Sequence, residues 1–154
     1  MKVFGKDETT SEIQIRVVAK KLLLIFVYAF SLNWIWENLH SYLYAHYQNG
    51  EITQRVLSRA ALFDAILITV LGFLFVRITY FRNRKWYALV FGFIVAILIE
   101  LYALKTGRWA YNEYMPLIPI LETGLTPSIQ LGMLSYLIFN IVDSKKKRVS
   151  YINR

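Results

Sequence analysis

The chain has 154 residues, of which 56% are hydrophobic and 16% aromatic. A soluble domain is usually about 45–50% apolar, so this excess indicates an integral membrane protein. The lack of cysteine in the sequence excludes disulfides and thiolate metal sites. The net charge of +8 does not predict nucleic-acid binding, because the basic residues lie at the ends of apolar blocks, where they face lipid headgroups.

Four apolar blocks predict four membrane-spanning helices in one transmembrane domain covering residues 1–154. The spans are expected at about 22–45, 60–80, 86–104 and 125–142, with tails at 1–20 and 143–154. The connections between the first three spans are short and polar, and Asn49-Gly50 is a turn signal. Short connections favour an antiparallel, up-down-up-down bundle.

The segment 105–124 is too apolar and aromatic for a simple loop, yet Pro116 and Pro119 interrupt it. Free backbone groups cannot face hydrocarbon, so this segment is predicted as a re-entrant or interfacial cap between the third and fourth helices. The predicted fold is therefore an all-α polytopic membrane four-helix bundle with a cap.

The distribution of basic residues predicts the orientation. Five lie in the N-terminal segment, four around the turn at 77–85 and five in the C-terminal tail, whereas the two other connections hold four. The positive-inside rule then places both termini in the cytoplasm of a multi-pass plasma-membrane protein.

Polar side chains share one face of the first predicted span. On a continuous helix Asn33, Glu37, His40 and Tyr44 fall at offsets 0, 4, 7 and 11, with Trp36 beside them. An intramembrane ionisable group costs roughly 2.5–3.5 kcal/mol on insertion scales, so it needs a partner or a function.

The other three spans place polar groups at the same depth. Asp64 lies early in the second span, Glu100 late in the third and Gln130 early in the fourth. At a rise of about 1.5 Å per residue, all lie within roughly 12 Å of the outer boundary. The sequence therefore predicts a polar chamber near the non-cytoplasmic side, with the segment 109–119 as its lid.

Three carboxyls at one depth cannot all be charged in a low dielectric, so at least one is expected to carry a proton. This favours acid catalysis on an alkene or epoxide, or a proton relay. The alternative is that the three carboxyls Glu37, Asp64 and Glu100 fasten the helices by pairing with polar neighbours, namely His40, Arg108, Lys105, Arg59 and the tyrosines. His40 is a candidate proton shuttle, but a second Glu-x-x-His pair is missing, so neither a metal nor a cofactor is predicted.

Aromatic residues crowd the same level and allow two interpretations. They form an interfacial aromatic belt, or they line a pocket whose π faces stabilise a cationic intermediate. The candidate catalytic residues are Glu37, Asp64, Glu100 and His40, and the candidate substrate-binding residues are Asn33, Trp36, Tyr44, Trp109, Tyr111 and Gln130.

Several of these pieces together resemble small four-span prokaryotic membrane proteins of unassigned function. A looser similarity is to carotenoid hydratases and cyclases, which join an intramembrane Glu to a Gly-aromatic-Tyr segment, and to four-span sterol isomerase-like proteins. It implies that Glu37, Asp64 and Glu100 are acids and that Trp36 and Trp109 face a cation. The residues that carry the resemblance are Trp36-Glu37, Leu43-Tyr44, Phe63-Asp64, Glu100, Gly107-Arg108-Trp109-Ala110-Tyr111, Met115-Pro116, Gly124-Leu125-Thr126-Pro127 and Gln130.

Three functions are compatible with this pattern. The first is an intramembrane enzyme, of isomerase, cyclase or hydratase type, that acts on a lipid-like and above all isoprenoid substrate. The second is a binding or transport protein for a small molecule or ion, with proton-coupled carboxylates. The third is a structural small membrane subunit. Membrane lipids are the expected partners, and a homo-oligomer is compatible with the sequence.

Overall fold

The computed structural model describes the backbone of residues 10–152 and the side chains of residues 11–144. The chain is mostly helical, as predicted. The predicted basic run 145–148 and the outer parts of both tails lie outside the residues whose side chains are described. The helices are α1 (Thr10–His40), α2 (Gln54–Arg77), α3 (Thr79–Arg82), α4 (Tyr87–Lys105) and α5 (Leu125–Ile152).

Three helices are long and apolar enough to cross a membrane. They are α2, α4 and the part of α5 from Leu125 to Ser144. The helices α4 and α5 agree with the third and fourth predicted spans, whereas α2 covers the second span only up to Arg77 and its last residues lie in α3. The second helix begins at Gln54, earlier than the predicted boundary at about residue 60, because Thr53 caps it by accepting a hydrogen bond from the Val56 N–H.

Most of the first predicted span belongs to α1, but this helix ends at His40 rather than continuing to Ala45. A short 3-10 turn, Ser41–Leu43, follows it and leads into strand β1, Tyr44–Tyr47. The prediction that Tyr44 lies on the helical face with Asn33 is therefore wrong, because the backbone of this segment bonds to another part of the chain.

That partner is strand β2, Trp109–Tyr111, which pairs antiparallel with β1. This two-stranded sheet was not predicted from the sequence, although the aromatic residues of both strands favour extended backbone. The pairing joins the chain after α1 to the chain after α4, so the C-terminal ends of these two helices lie together. We call this region the sheet end of the molecule.

The predicted Asn-Gly turn is present beside the sheet. Tyr47 and Gly50 exchange two backbone hydrogen bonds, and Gln48 and Asn49 between them have φ angles of 49° and 58°. Two consecutive left-handed residues match the twist of a tight hairpin turn. This turn redirects the chain towards the start of α2.

Helix α5 is central. In the most apolar stretch of α5, 56% of the residues are buried, whereas only 28% are buried in the corresponding stretches of α2 and α4. Its closest neighbour is α4, and the two backbones touch where Gly92 faces Gly132: a Cβ on Gly92 would lie 2.4 Å from the Gly132 Cα. Small residues allow such close approach between membrane helices.

The end of the molecule opposite the sheet is apolar inside and ionic at its boundary. Ile25, Ile68 and Ile138 are almost fully buried there. Beyond them, the Asp143 carboxylate of α5 forms ion pairs with Lys21 of α1 and with Lys85, which precedes α4. The N–O distance is 2.6 Å in both pairs. These contacts tie three segments together at the end remote from the predicted chamber.

Candidate functional site

The centre of the candidate site is the side-chain amide of Gln130, which is 4% exposed. Its Nε2 donates to three acceptors: Asn33 Oδ1 at 2.9 Å, Glu37 Oε1 at 2.8 Å and Asp64 Oδ2 at 3.1 Å. These residues belong to α1, α2 and α5, so one amide connects three helices. The structure thus brings together four of the residues that the sequence predicted as a group.

Asn33 is fully buried and helps to orient this amide. Its own Nδ2 donates to the Ala29 carbonyl one turn earlier, at 2.8 Å, which leaves Oδ1 free to accept from Gln130. The α-helical spacing of Asn33 and Glu37 places both oxygens on the same side of α1, as the sequence indicated.

Glu100 is the third carboxyl, and α4 supplies it. It is buried, and its Oε2 accepts hydrogen bonds from the Trp109 indole Nε1, at 3.2 Å, and from the Tyr111 hydroxyl. The Tyr111 oxygen also accepts from the Gly124 backbone N–H at 2.8 Å. Strand β2 is therefore fastened both to α4 and to the residue that precedes α5.

These contacts keep the Tyr111 hydroxyl neutral. Burial raises the pKa of Tyr111, and its hydrogen bond to the Glu100 carboxylate raises that pKa further. A neutral phenol can donate to the carboxyl and at the same time accept from a backbone N–H.

Tyr44 connects the two halves of the site, although it lies on β1 rather than on α1. Its ring packs against Trp109 at 6.1 Å and Tyr111 at 5.6 Å between centroids. Its hydroxyl is within electrostatic range of the three carboxyls, and those carboxyls are within range of one another. Glu37, Asp64 and Glu100 therefore share one neighbourhood.

Two further predicted residues, Trp36 and His40, flank this neighbourhood on α1. His40 Nδ1 lies 2.7 Å from the Trp36 carbonyl oxygen, so Nδ1 carries a hydrogen and donates it. The His40 ring packs between Trp36 and Tyr44, at centroid distances of 5.9 and 5.5 Å. The structure thus places His40 in a row of aromatic rings and gives it no hydrogen bond to a described carboxyl.

The carboxyl cluster has no cation in contact with it among the side chains that the structure describes. Within residues 11–144, no lysine or arginine forms an ion pair with Glu37, Asp64 or Glu100, and the ion pairs of that range are those of Asp143. Of the partners that the fastening alternative named, the described contacts include a tyrosine, Tyr111 on Glu100, but no basic residue on any of the three carboxyls. No group of three His, Cys, Asp or Glu in the described chain is arranged to hold a metal ion.

Several polar contacts on the sheet end of the molecule were not predicted from the sequence. The Gln54 amide donates to Asn38 Oδ1 at 2.8 Å, and the Asn112 amide donates to the Tyr42 carbonyl. Neither pair has a helical spacing, so nothing in the local sequence pattern indicates them. Three buried donors, the Trp36 indole N–H and the Thr123 and Ser135 hydroxyls, have no hydrogen-bond partner within the described chain.

Two cavities lie elsewhere on the molecule. One, of about 20 Å³, is lined by residues that include Lys21, Lys85 and Asp143. The other is a groove of about 610 Å³ between α1 and the start of α2. Neither is lined by a carboxyl of the cluster, so the site is a packed polar network and not the lining of either space.

Comparisons of the chain with protein-family models, with curated proteins and with solved structures found no match.

Proposed function

We propose that the chain is a plasma-membrane protein with four crossings, in which α1 is the additional span beside α2, α4 and α5. The β1–β2 pairing supports an up-down-up-down order, because it holds the ends of α1 and α4 at one side. Residues 105–124 then form the cap over that side. The excess of basic residues at the opposite side supports cytoplasmic termini.

We propose further that the protein is an intramembrane enzyme acting on a lipid-like, isoprenoid substrate through carboxyl acid–base chemistry. The observation that carries this proposal is the gathering of Glu37, Asp64 and Glu100 around neutral donors, without a described cation. Carboxyls held together in this way store protons, because ionising all of them would place like charges in a poorly solvated space.

The reaction would begin with proton transfer from a neutral carboxyl to one carbon of a double bond. The new C–H bond forms as the π bond breaks, and a carbocation remains on the adjacent carbon. A second carboxylate then removes a proton from a neighbouring carbon, so that the double bond re-forms in a shifted position and the proton count is restored. Attack on the cation by another double bond or by water would give a cyclase or a hydratase instead.

The aromatic side chains suit such an intermediate. Rings stabilise a nearby cation through their π faces. The Trp109 indole bonds to the Glu100 carboxyl, Tyr44 packs against Trp109, and Trp36 packs against His40. The Trp36 indole N–H has no described partner, which leaves it available to a polar group of the substrate. Asn33 and Gln130 would orient the carboxyls and contact the substrate head.

Deuterium incorporation tests this proposal directly. The purified protein in nanodiscs is incubated in D₂O with squalene, a polyprenol or lycopene, and the products are analysed by mass spectrometry. The expected result is carbon-bound deuterium in at least one of the three, lost in Glu37→Gln, Asp64→Asn or Glu100→Gln and kept in the lipid-facing variant Met133→Leu. Wild-type protein that gives no deuterated product from any of them would count against the proposal.

A structural subunit is the alternative that a specific observation favours. All three carboxyls already accept hydrogen bonds within the chain, as interhelical fasteners would. Under this alternative the three carboxyl variants unfold more easily and the D₂O experiment gives nothing. A proton-coupled transporter has less support, because the half of the molecule away from the sheet is filled by Ile25, Ile68 and Ile138.

A further inference from the structure

The groove between α1 and α2 combines an apolar floor with a basic end. Its volume is about 610 Å³. Phe26 and Phe30 of α1, whose rings stack at 6.5 Å, line it together with Leu62 of α2. Arg55 and Arg59, in the first two turns of α2, line it near the sheet end.

The positions of these two arginines are unfavourable for α2 itself. They are four residues apart, so they lie on one face of the helix, where like charges repel. They also lie close to the helix N-terminus, whose partial positive charge disfavours cations, and the first turn contains no acidic residue. Both side chains are exposed.

Nothing in the described chain compensates for this cost. Neither guanidinium has a hydrogen bond, an ion pair or a ring contact with residues 11–144, and this distinguishes them from the other arginines of that range. Arg77, Arg84 and Arg108 lie over the rings of Phe73, Tyr80 and Tyr102, Arg82 bonds to the Val76 carbonyl, and Arg16 also has a partner.

The positive-inside rule also leaves Arg55 and Arg59 unexplained. The sheet end is the side that is poor in basic residues, and a general attraction to cytoplasmic headgroups does not explain two arginines there. Guanidinium groups recognise phosphate oxygens with pairs of charge-assisted hydrogen bonds, and an adjacent apolar surface accommodates a hydrocarbon chain.

We propose that this groove binds a lipid with an anionic phosphate headgroup. Arg55 and Arg59 hold the phosphate, the Ser58 hydroxyl on the same wall supplies another donor, and one acyl chain lies along Leu62 and the Phe30 ring. The site is separate from the carboxyl cluster and does not depend on the function proposed for that cluster.

Matched charge variants test the headgroup end. Arg55→Gln/Arg59→Gln removes two positive charges from the groove, and Lys105→Gln/Arg108→Gln removes two from the same end of the molecule outside it. Protein is reconstituted in nanodiscs of equal phosphatidylglycerol and phosphatidylcholine, released into mild detergent and examined by native mass spectrometry for retained lipid.

The wild type is expected to retain phosphatidylglycerol in preference to phosphatidylcholine. Loss of two charge-assisted contacts should reduce that preference about tenfold in Arg55→Gln/Arg59→Gln and leave it within about twofold in the control. Equal loss in both double variants, loss in the control alone, no loss in either, or no wild-type preference would each overturn the proposal.

A second pair of variants tests the apolar floor without changing charge. Leu62 and its neighbour Phe63 are both exposed, at 43% and 51%, but only Leu62 lines the groove. Leu62→Trp should fill the groove and reduce the total retained phospholipid several-fold, whereas Phe63→Trp should not. Equal retention by the two tryptophan variants would overturn the acyl-chain assignment. Because this readout is a bound phospholipid, its failure is distinct from a failure to deuterate an isoprenoid.

Discussion

Replacing Gln130 by leucine removes a side chain that bonds α5 to both α1 and α2. Its amide has two hydrogens and serves three acceptors, so two bonds are strong at any moment and the third is shared. Leucine has nearly the same volume but no donor. The Glu37 and Asp64 oxygens that bond to the amide would lose this donor in a poorly hydrated interior.

The size of the effect follows from these contacts. Interhelical hydrogen bonds in membrane proteins contribute about 0.6 kcal/mol each on average and up to about 1.7 kcal/mol. A buried acceptor left without a partner costs about 1–3 kcal/mol, and more if it is charged. With three acceptors affected, the free energy of unfolding should fall by about 2–4 kcal/mol.

Equilibrium unfolding in bicelles with increasing SDS, followed by circular dichroism, measures this quantity. Met133→Leu is the matched control, because Met133 lies on the same helix and its side chain is 39% exposed. The control should change the free energy of unfolding by less than about 0.5 kcal/mol. If Gln130→Leu changed the free energy of unfolding as little as the control does, the Gln130 amide would not stabilise the packing of the helices, and the reasoning from its three hydrogen bonds would be refuted.

Three other perturbations have defined outcomes. Tyr111→Phe should destabilise the protein by about 1–2 kcal/mol and speed amide hydrogen exchange in residues 109–124, because the link to Glu100 is lost. Because the pKa of Tyr111 is raised in the folded state, its hydroxyl stabilises the protein fully below the ordinary tyrosine pKa of about 10, and this stabilisation declines at higher pH. Above pH ~10 the free energy of unfolding of the wild type should therefore fall more steeply than that of Tyr111→Phe. Asp143→Asn should lower the free energy of unfolding by about 1–3 kcal/mol and make it less sensitive to salt, because two partly buried ion pairs with lysines are lost. An unfolding midpoint in urea or SDS equal to that of the wild type would contradict this prediction. Gly92→Ala should lower the free energy of unfolding by about 2 kcal/mol or more, because the new methyl group forces α4 away from α5. Gly107→Ala should lower it by only about 1 kcal/mol, because Gly107 has open space around it and only its φ of 64° is unfavourable for alanine. A larger loss in Gly107→Ala than in Gly92→Ala would contradict the packing of α4 against α5.

The sequence by itself determined which segments are apolar and how deep each polar residue lies in them. Hydropathy is a property of a continuous stretch, and helical rise converts residue number into depth. Therefore the common level of Glu37, Asp64, Glu100 and Gln130 was predictable before their contacts were known.

The tertiary structure decided which of these groups touch. Rotation of each helix about its axis and the spacing between helices depend on contacts such as Gly92 against Gly132, which no local pattern specifies. The Gln130 amide as the shared donor could not be read from periodicity for this reason.

Tyr44 shows the limit most clearly. A helical repeat extended through it, yet the chain leaves α1 at His40 and forms β1, because strand β2, more than sixty residues later, supplies the backbone partners. A helical repeat in the sequence predicts which residues share a face only within the helix itself. The end of α1 depends on the strand that pairs with the next residues, and local sequence does not specify that contact.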